Sequence, residues 1–285
     1  MKKITAVIFV FLLLGSALFA EDARVMPRMA GRISLNPSYS FETGFYDNNG
    51  NTQSYNYGSP RFFHLGSVLE FGITDWITTG FHWIPGWNFW HDKDTLPLGT
   101  KENDISDLTA RIKFQIAGDR APLRSSSIRF ALAPTAIIPL SDLSNFSDKL
   151  MAGLSLHFDY IFNSIFYLYF YGQGLVYPSN FGEYYLNGEI SPVFSLPVSA
   201  GLDIYAGLPI SFFYSYLDSQ TASALNIANP YSLGIKPFMS VFFKSFSLPL
   251  EFKLQYEMPL MGKNSLKAHN VSFQLMAYIV PQGRL

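Results

Sequence analysis

The 285-residue chain has no cysteine, and that absence removes several chemistries at once. Disulfides, thiolate metal ligands and cysteine nucleophiles are excluded, as is a lipidated N-terminal cysteine. Charge is also scarce. Asp, Glu, Lys and Arg make up 14% of the chain, against about a quarter in an ordinary globular domain. The formal net charge is −1, too even a balance for a nucleic-acid partner. The five histidines (His64, His82, His91, His157 and His269) form no pair at metal-binding spacing, and no Gly-rich phosphate loop is present. No metal site or cofactor is therefore expected. Beyond the first twenty residues no run of about eighteen apolar residues occurs, so no transmembrane helix is expected in the mature chain.

Aromatic residues, by contrast, are abundant at 17%. The 21 glycines and 17 prolines recur throughout, which disfavours long helices. The chain opens MKKITAVIFVFLLLGSALFA. Lys2 and Lys3 form a basic head, Ile4–Leu14 an apolar stretch, and Gly15, Ser16, Ala17 and Ala20 a small-residue end. This predicts a secretory signal over 1–20, cut after Ala20, with an apolar stretch too short for a span of about 20 residues. Without Lys2 and Lys3 the mature chain carries 18 basic against 21 acidic residues. Residues 21–285 read as one domain, with Glu21–Ala30 as a short periplasmic lead-in.

From Gly31 onward the pattern has a period of two. In Asp107–Ile116, Leu108, Ala110, Ile112, Phe114 and Ile116 alternate with Asp107, Thr109, Arg111, Lys113 and Gln115. Side chains of a strand point alternately to its two faces, so this is a strand with one apolar and one polar surface. The same alternation recurs in Gly31–Phe45, Arg61–Ile73, Trp76–Trp87, Ser127–Ile138, Leu150–Tyr160, Phe166–Val176, Tyr184–Phe194, Val198–Phe212, Tyr231–Phe243, Leu248–Met258 and Asn270–Val280. About twelve strands result, an even number within the range of bacterial barrels. Long polar links (Tyr46–Pro60, Asn88–Asn103, Leu140–Ser147, Tyr214–Pro230, Leu260–His269) mostly alternate with short ones, as expected if long loops are extracellular and tight turns periplasmic. Gly118–Arg124 and Tyr177–Gly182 are too similar in length to sort.

Charge decides which face is which. Glu42, Glu70, Asp107, Asp159, Glu189, Asp203, Glu251 and Glu257 oppose the apolar faces, as do Arg111, Lys113, Arg129, Lys236, Lys244 and Lys253. An Arg or Lys facing lipid at the midplane costs roughly 2–4 kcal/mol, so a clean partition is expected of a membrane barrel. A soluble sandwich with a solvated outer face is the competing reading. The expected fold is thus all-β, a transmembrane antiparallel up-and-down barrel in the outer membrane of a diderm bacterium. Asp107, Arg111, Lys113, Arg129, His157, Asp159, Tyr169, Glu189, Asp203, Lys253 and Glu257 would line its lumen. Trp76 and Trp87 stand roughly 28 Å apart along the membrane normal at ~3.3 Å per residue and ~40° tilt. With Trp83 and Trp90 they are candidates for the interfacial girdles, although strict alternation puts Trp76 on the face opposite Trp83 and Trp87. The expected partners are the lipid bilayer, the barrel-assembly machinery and a small solute. The last strand stops at Pro281 instead of ending on an aromatic residue.

Two constellations carry chemistry. Ser155, His157 and Asp159 share one lumenal face, the residue types of a hydrolase triad. Yet neighbours two apart on a strand are nearly 7 Å apart, so a polar ladder is the expected role and no catalytic residue is assigned. Arg111, Lys113 and Arg129 fall on adjacent strands and suggest a basic ladder of the kind that lines pore constrictions. Tyr167, Tyr169, Tyr171, Tyr185 and Tyr205 form an aromatic strip, suited either to bind rings or to fill space beside the charges.

Three stretches carry a family resemblance: LEFGITDWITTG at Leu69–Gly80, DISDLTARIKF at Asp104–Phe114 and ALAPTAIIPL at Ala131–Leu140. They resemble barrels described as transporters of the meta-pathway of phenol degradation, within the fatty-acid-transporter-like group. The family's usual Gly before Asp is Ser106 here, and its closing Gly after Leu140 is absent. The resemblance implies uptake of small, apolar compounds and transfers no site residue. The sequence thus points to a passive channel or transporter for small solutes. The alternatives are a surface-contact barrel with a plugged lumen, binding through its long loops, and an outer-membrane hydrolase. If the faces are assigned correctly, Ile112→Arg prevents membrane assembly. The check is loss of the heat-modifiable folded band on electrophoresis, whereas a folded Ile112→Arg barrel would reverse the two faces.

Overall fold

The computed structural model describes residues 23–55, 59–91, 104–140, 150–217 and 229–280. The predicted signal over 1–20 lies outside them, as do the middles of four of the long loops. The strands are β1 (Gly31–Tyr46), β2 (Thr52–Gln53), β3 (Arg61–Thr74), β4 (Ile77–His91), β5 (Asp104–Ile105), β6 (Leu108–Gly118), β7 (Leu123–Arg124), β8 (Ile128–Ile138) and β9 (Met151–Ile161). They continue with β10 (Phe166–Tyr177), β11 (Asn180–Ser199), β12 (Leu202–Gly207), β13 (Ile210–Tyr216), β14 (Tyr231–Ile235), β15 (Phe238–Phe243), β16 (Leu250–Lys263) and β17 (Ser265–Ile279). β12 with β13, and β14 with β15, each make one interrupted stave, and β2, β5 and β7 are short additions. The result is a closed antiparallel barrel of twelve staves. It closes where β1 pairs with β17, from Gly31 opposite Ile279 to Tyr46 opposite Ser265.

Closure matters because hydrocarbon offers a peptide group no partner, so every N–H and C=O must be paired within the wall. The side chains divide as the alternation requires. On β1, Ser34, Asn36, Ser38, Ser40 and Glu42 are buried inside, while Ile33 and Leu35 are exposed outside. On β3, His64 and Glu70 are buried while Leu69 is 51% exposed. On β6, Lys113 and Gln115 are buried while Ile112 is 42% exposed. An apolar exterior around a polar interior is the inverse of a soluble core, and it identifies the outside as the lipid face.

Short turns at the rim where β1 begins are locally determined. At the β9–β10 turn, Asn163 Oδ1 accepts the N–H groups of Ile165 and Phe166, each at 2.8 Å, a side-chain cap that fixes a tight reversal. Two connections at the other rim depart from the expected length rule. Leu260–His269 is not a loop: β16 and β17 run through it and turn at Asn264, whose φ of 48° suits an Asn. Pro178 and Ser179 alone join β10 to β11. At the first rim, the turn expected at Leu196-Pro197 falls instead at Ala200-Gly201, because β11 continues to Ser199 with Pro197 opposite Asp203.

The wall is interrupted at one place. Two staves expected to be continuous break side by side at Leu208-Pro209 and Lys236-Pro237. Neither proline has an N–H to give to the ladder. The gap is spanned by Lys236 N–H donating to the Pro209 carbonyl at 2.8 Å and Tyr256 N–H to the Pro237 carbonyl at 3.1 Å. Beside the break, the Lys236 side chain turns inward and is 1% exposed. Its Nζ lies 3.2 Å from Glu257 Oε1 and 4.0 Å from Glu189 Oε2. Removing one member of a buried ion cluster strands the others, at a cost of about 3–5 kcal/mol. Lys236→Met is therefore expected to lower the urea midpoint of the folded barrel clearly. Adding Glu257→Gln should recover part of the loss, read by heat-modifiability across a urea series.

Candidate functional site: the lumen and the segment that occupies it

Ala23–Ala30 is not a lead-in outside the barrel. It runs inside the wall, near the rim where β1 begins. Met29 N–H donates to the Gly72 carbonyl at 2.9 Å, and Gly72 N–H to the Ala30 carbonyl at 2.8 Å. Arg28 N–H reaches Asp75 Oδ1 at 3.0 Å and Met26 N–H reaches Thr78 Oγ1 at 2.7 Å. Lys113 Nζ lies 3.4 Å from the Arg24 carbonyl, Gln115 Nε2 donates to the Ala23 carbonyl at 3.1 Å, and Ala23 N–H ends on Asp159 Oδ1 at 3.0 Å. The physical reason is plain: a segment without a strand partner has backbone groups to satisfy, and the polar lumen supplies the partners. Gly72 makes the close approach possible, since a Cβ there would stand 2.0 Å from the Pro27 carbonyl oxygen.

The expected lumenal residues fall into separate groups. Arg111 lies 3.3 Å from Glu70 Oε1 and 2.8 Å from His82 Nε2. Glu70 also takes Arg32 at 2.5 Å and His82 at 3.1 Å. Arg129 lies 3.6 Å from Asp159 and 3.7 Å from Asp119. Arg111, Lys113 and Arg129 therefore do not stand as one basic ladder: each faces a different partner, Lys113 the Arg24 carbonyl among them. On the far wall the Tyr169 hydroxyl donates to Glu189, which sits with Glu257 around Lys236. Lys244 Nζ meets Asp203 at 2.8 Å. Lys253 Nζ lies 4.4 Å from the centre of the Phe238 ring, and Asp107 is buried at the other end of β6.

Ser155, His157 and Asp159 are all fully buried. The Ser155 hydroxyl is 3.2 Å from Thr135 Oγ1 and accepts from Gln173 Nε2 at 3.1 Å. Asp159 holds Ala23 and Arg129, and the His157 ring packs 5.1 Å from Tyr171. These bonds tie the wall and the N-terminal segment together.

Trp76 and Trp87 are 37% and 44% exposed on the outside. Trp76 lies in the β3–β4 turn, not in the strand, so strict alternation does not govern it. Trp83 donates its indole N–H to the Ser106 carbonyl at 2.8 Å. The Trp90 side chain lies outside the described residues.

The N-terminal segment fills one side of the lumen, along β3, β4, β6 and β9. A cavity of about 250 Å³ remains beside it. Arg24, Val25 and Met26 border it together with Glu70 of β3, His82 of β4 and Lys113 of β6, and β1, β10, β12, β15, β16 and β17 complete the lining with side chains that include Arg32, Tyr205 and Lys253. Of these, Arg24 and Arg32 lack the sequence context that would have marked them. Arg24 lies in a stretch without periodicity, and Arg32 is the first polar residue of its strand.

A closed barrel with an apolar belt and a polar, partly occupied lumen defines an outer-membrane β-barrel. The solved structure of an outer membrane channel from Pseudomonas putida F1 has this fold, at TM-score 0.67 and 14% identity over 92% of this chain and 100% of that one. The expected barrel class is thereby borne out. A NanC porin aligns at TM-score 0.48 and 5% identity, over 87% of this chain and 100% of that one. A FadL homologue of Pseudomonas aeruginosa aligns at 0.38 and 11%, over 93% and 95%. No known protein family matches the sequence, and no curated protein does.

If Gly72 is what lets the N-terminal segment lie against the wall, Gly72→Val dislodges it. Arg24 and Arg28 in the folded wild type should resist trypsin, while the variant is cut there at unchanged heat-modifiability. The N-terminal mass of the digested barrel decides between the two.

Proposed function

We propose that the protein is a passive outer-membrane channel for small solutes. Its conduit is the part of the lumen that the N-terminal segment leaves free. The observation that carries this reading is the lumenal cavity itself, with a charged and aromatic lining from the wall and Arg24, Val25 and Met26 of the N-terminal segment along its border. A barrel that served only as a surface scaffold has no need of a cavity, and its lumen could close by packing alone. The likeness to a barrel described as an outer membrane channel supports the same class. The hydrogen bonding of Ser155 and Asp159 gives no support to a hydrolase. The surface-contact alternative rests on long loops whose middles lie outside the described residues.

The occupying segment also favours a second, related reading, in which the resting lumen is shut and opens when Ala23–Pro27 moves. Planar-bilayer recording on the full mature chain and on a chain lacking residues 23–27 separates the two. An open conduit gives current steps in both, larger in the deletion. A shut one gives steps only in the deletion. Silence from both folded proteins removes the channel reading.

A further inference from the structure

We propose that the path joining the lumenal cavity to the rim where β1 ends runs along the β1–β17 seam, and that it admits water and small uncharged solutes bearing hydroxyl or amide groups. This deepens the channel reading and rests on it for its biological setting, though not for its test. The first argument is register. On the inward face His64, Ser38, Ser272 and Gln255 stand opposite one another in a row across β3, β1, β17 and β16. One step nearer that rim, Ser40 stands opposite Asn270. One step the other way along β17, Gln274 lines the cavity. Residues on the same face of a strand are about 7 Å apart, so each step from cavity to rim offers a hydroxyl or an amide.

The second argument is access and hydrogen bonding. Ser38, Ser40, Gln255, Asn270, Ser272 and Gln274 are each 7–9% exposed. The inward faces of β8, β9, β10, β11 and β13 carry an apolar cluster instead: Ile137, Met151, Leu175, Tyr177, Tyr185 and Phe213, at 0–5% apart from Ile137 at 8%. An apolar surface inside a lumen sheds water. The seam does the reverse. Asn36 Nδ2, Glu42 Oε1 and His64 Nδ1 are buried and have no hydrogen-bond partner among the described residues, and water is the usual partner of such atoms. Ser, Asn and Gln side chains both donate and accept, so they replace the water around a hydroxyl or an amide, but they have no charge to offset that of an ion. Glu257, opposite Asn270, is already held by Lys236 at 3.2 Å. This solute class differs from the apolar compounds that the family resemblance implies. An apolar body would strip water from these groups and return no hydrogen bond.

The absence of native cysteine gives the test a silent background. Ser40→Cys and Ser272→Cys on the seam, and Met151→Cys and Leu175→Cys in the apolar cluster, are made singly in the full mature chain and folded in detergent. Each is treated with iodoacetamide, itself a small uncharged amide, and with iodoacetate. The intact mass of the heat-modifiable barrel reads the alkylation, and each rate is taken relative to the same variant unfolded in urea. The seam thiols are expected to react with iodoacetamide at least about tenfold faster than the cluster thiols, and faster than they react with iodoacetate. If Ser272→Cys loses its heat-modifiable fold, Ser38→Cys takes its place, one strand away in the same row. Seam thiols that stay unmodified, or react no faster than the cluster thiols, overturn the proposal. So does alkylation of Ser40→Cys alone, which ends the path at the mouth, and so do equal relative rates with iodoacetate. Alkylation is read without current, so a silent barrel with reactive seam thiols would defeat the channel reading alone. A conducting barrel whose seam thiols stay unmodified would defeat this one alone.

Discussion

The structure depends on one constraint: in hydrocarbon a peptide N–H or C=O has no partner other than another peptide group. A sheet can satisfy this only by closing on itself, and the pairing of β1 with β17 achieves it. Once the sheet is closed, the period of two sends half the side chains to lipid and half into a confined interior. The polar half then faces its own kind. Asn270 and Gln274 donate across the β1–β17 seam to Ser40 and Ser34, and Ser34 in turn donates to Asn36 on its own strand. Charged groups gather in clusters about Glu70, Asp159 and Lys236, because an unpartnered charge in that interior costs far more than a paired one.

The same constraint explains the N-terminal segment. Eight residues without a strand partner would leave their peptide groups to water outside the barrel or to polar side chains within it. Asp75, Thr78, Lys113, Gln115 and Asp159 provide the second solution, spaced along β4, β6, β9 and the turn before β4. Much of the lumenal polarity that looks like pore lining in the sequence therefore serves to bind this segment. What is left for a solute is the cavity beside the segment, where the rings of Tyr167, Tyr205, Phe238 and Phe242 face the space. The paired breaks at Pro209 and Pro237 fall close to it, since Phe238, next to Pro237, lines the cavity.

Much of this is written in the alternation itself. Leu108 to Ile116 against Asp107 to Gln115 already specifies a two-faced strand, and the confinement of charge to one face specifies which side meets lipid. The number of staves and the polar character of the interior follow by the same reading. The places where the sequence misleads have physical causes. Leu260–His269 alternates too weakly to show as strand, yet Asn264 supplies a turn tight enough for β16 and β17 to meet. Pro197 looks like a turn residue, but it sits where its missing N–H is tolerated near the end of β11. Pro209 and Pro237 look like isolated prolines in separate strands, and only the pairing of those strands makes them neighbours.

The sequence by itself determines the class of fold, the inward and outward faces and the identity of the buried charges, because these depend on period and polarity, which are local. The tertiary structure alone decides which charges meet, where Ala23–Ala30 goes and on which side space remains. Arg111 and Lys113 are two residues apart on one strand and share a face, yet one joins Glu70 and His82 and the other the Arg24 backbone. Those choices depend on which staves curve opposite one another across the closed lumen, a long-range geometry that no local pattern encodes.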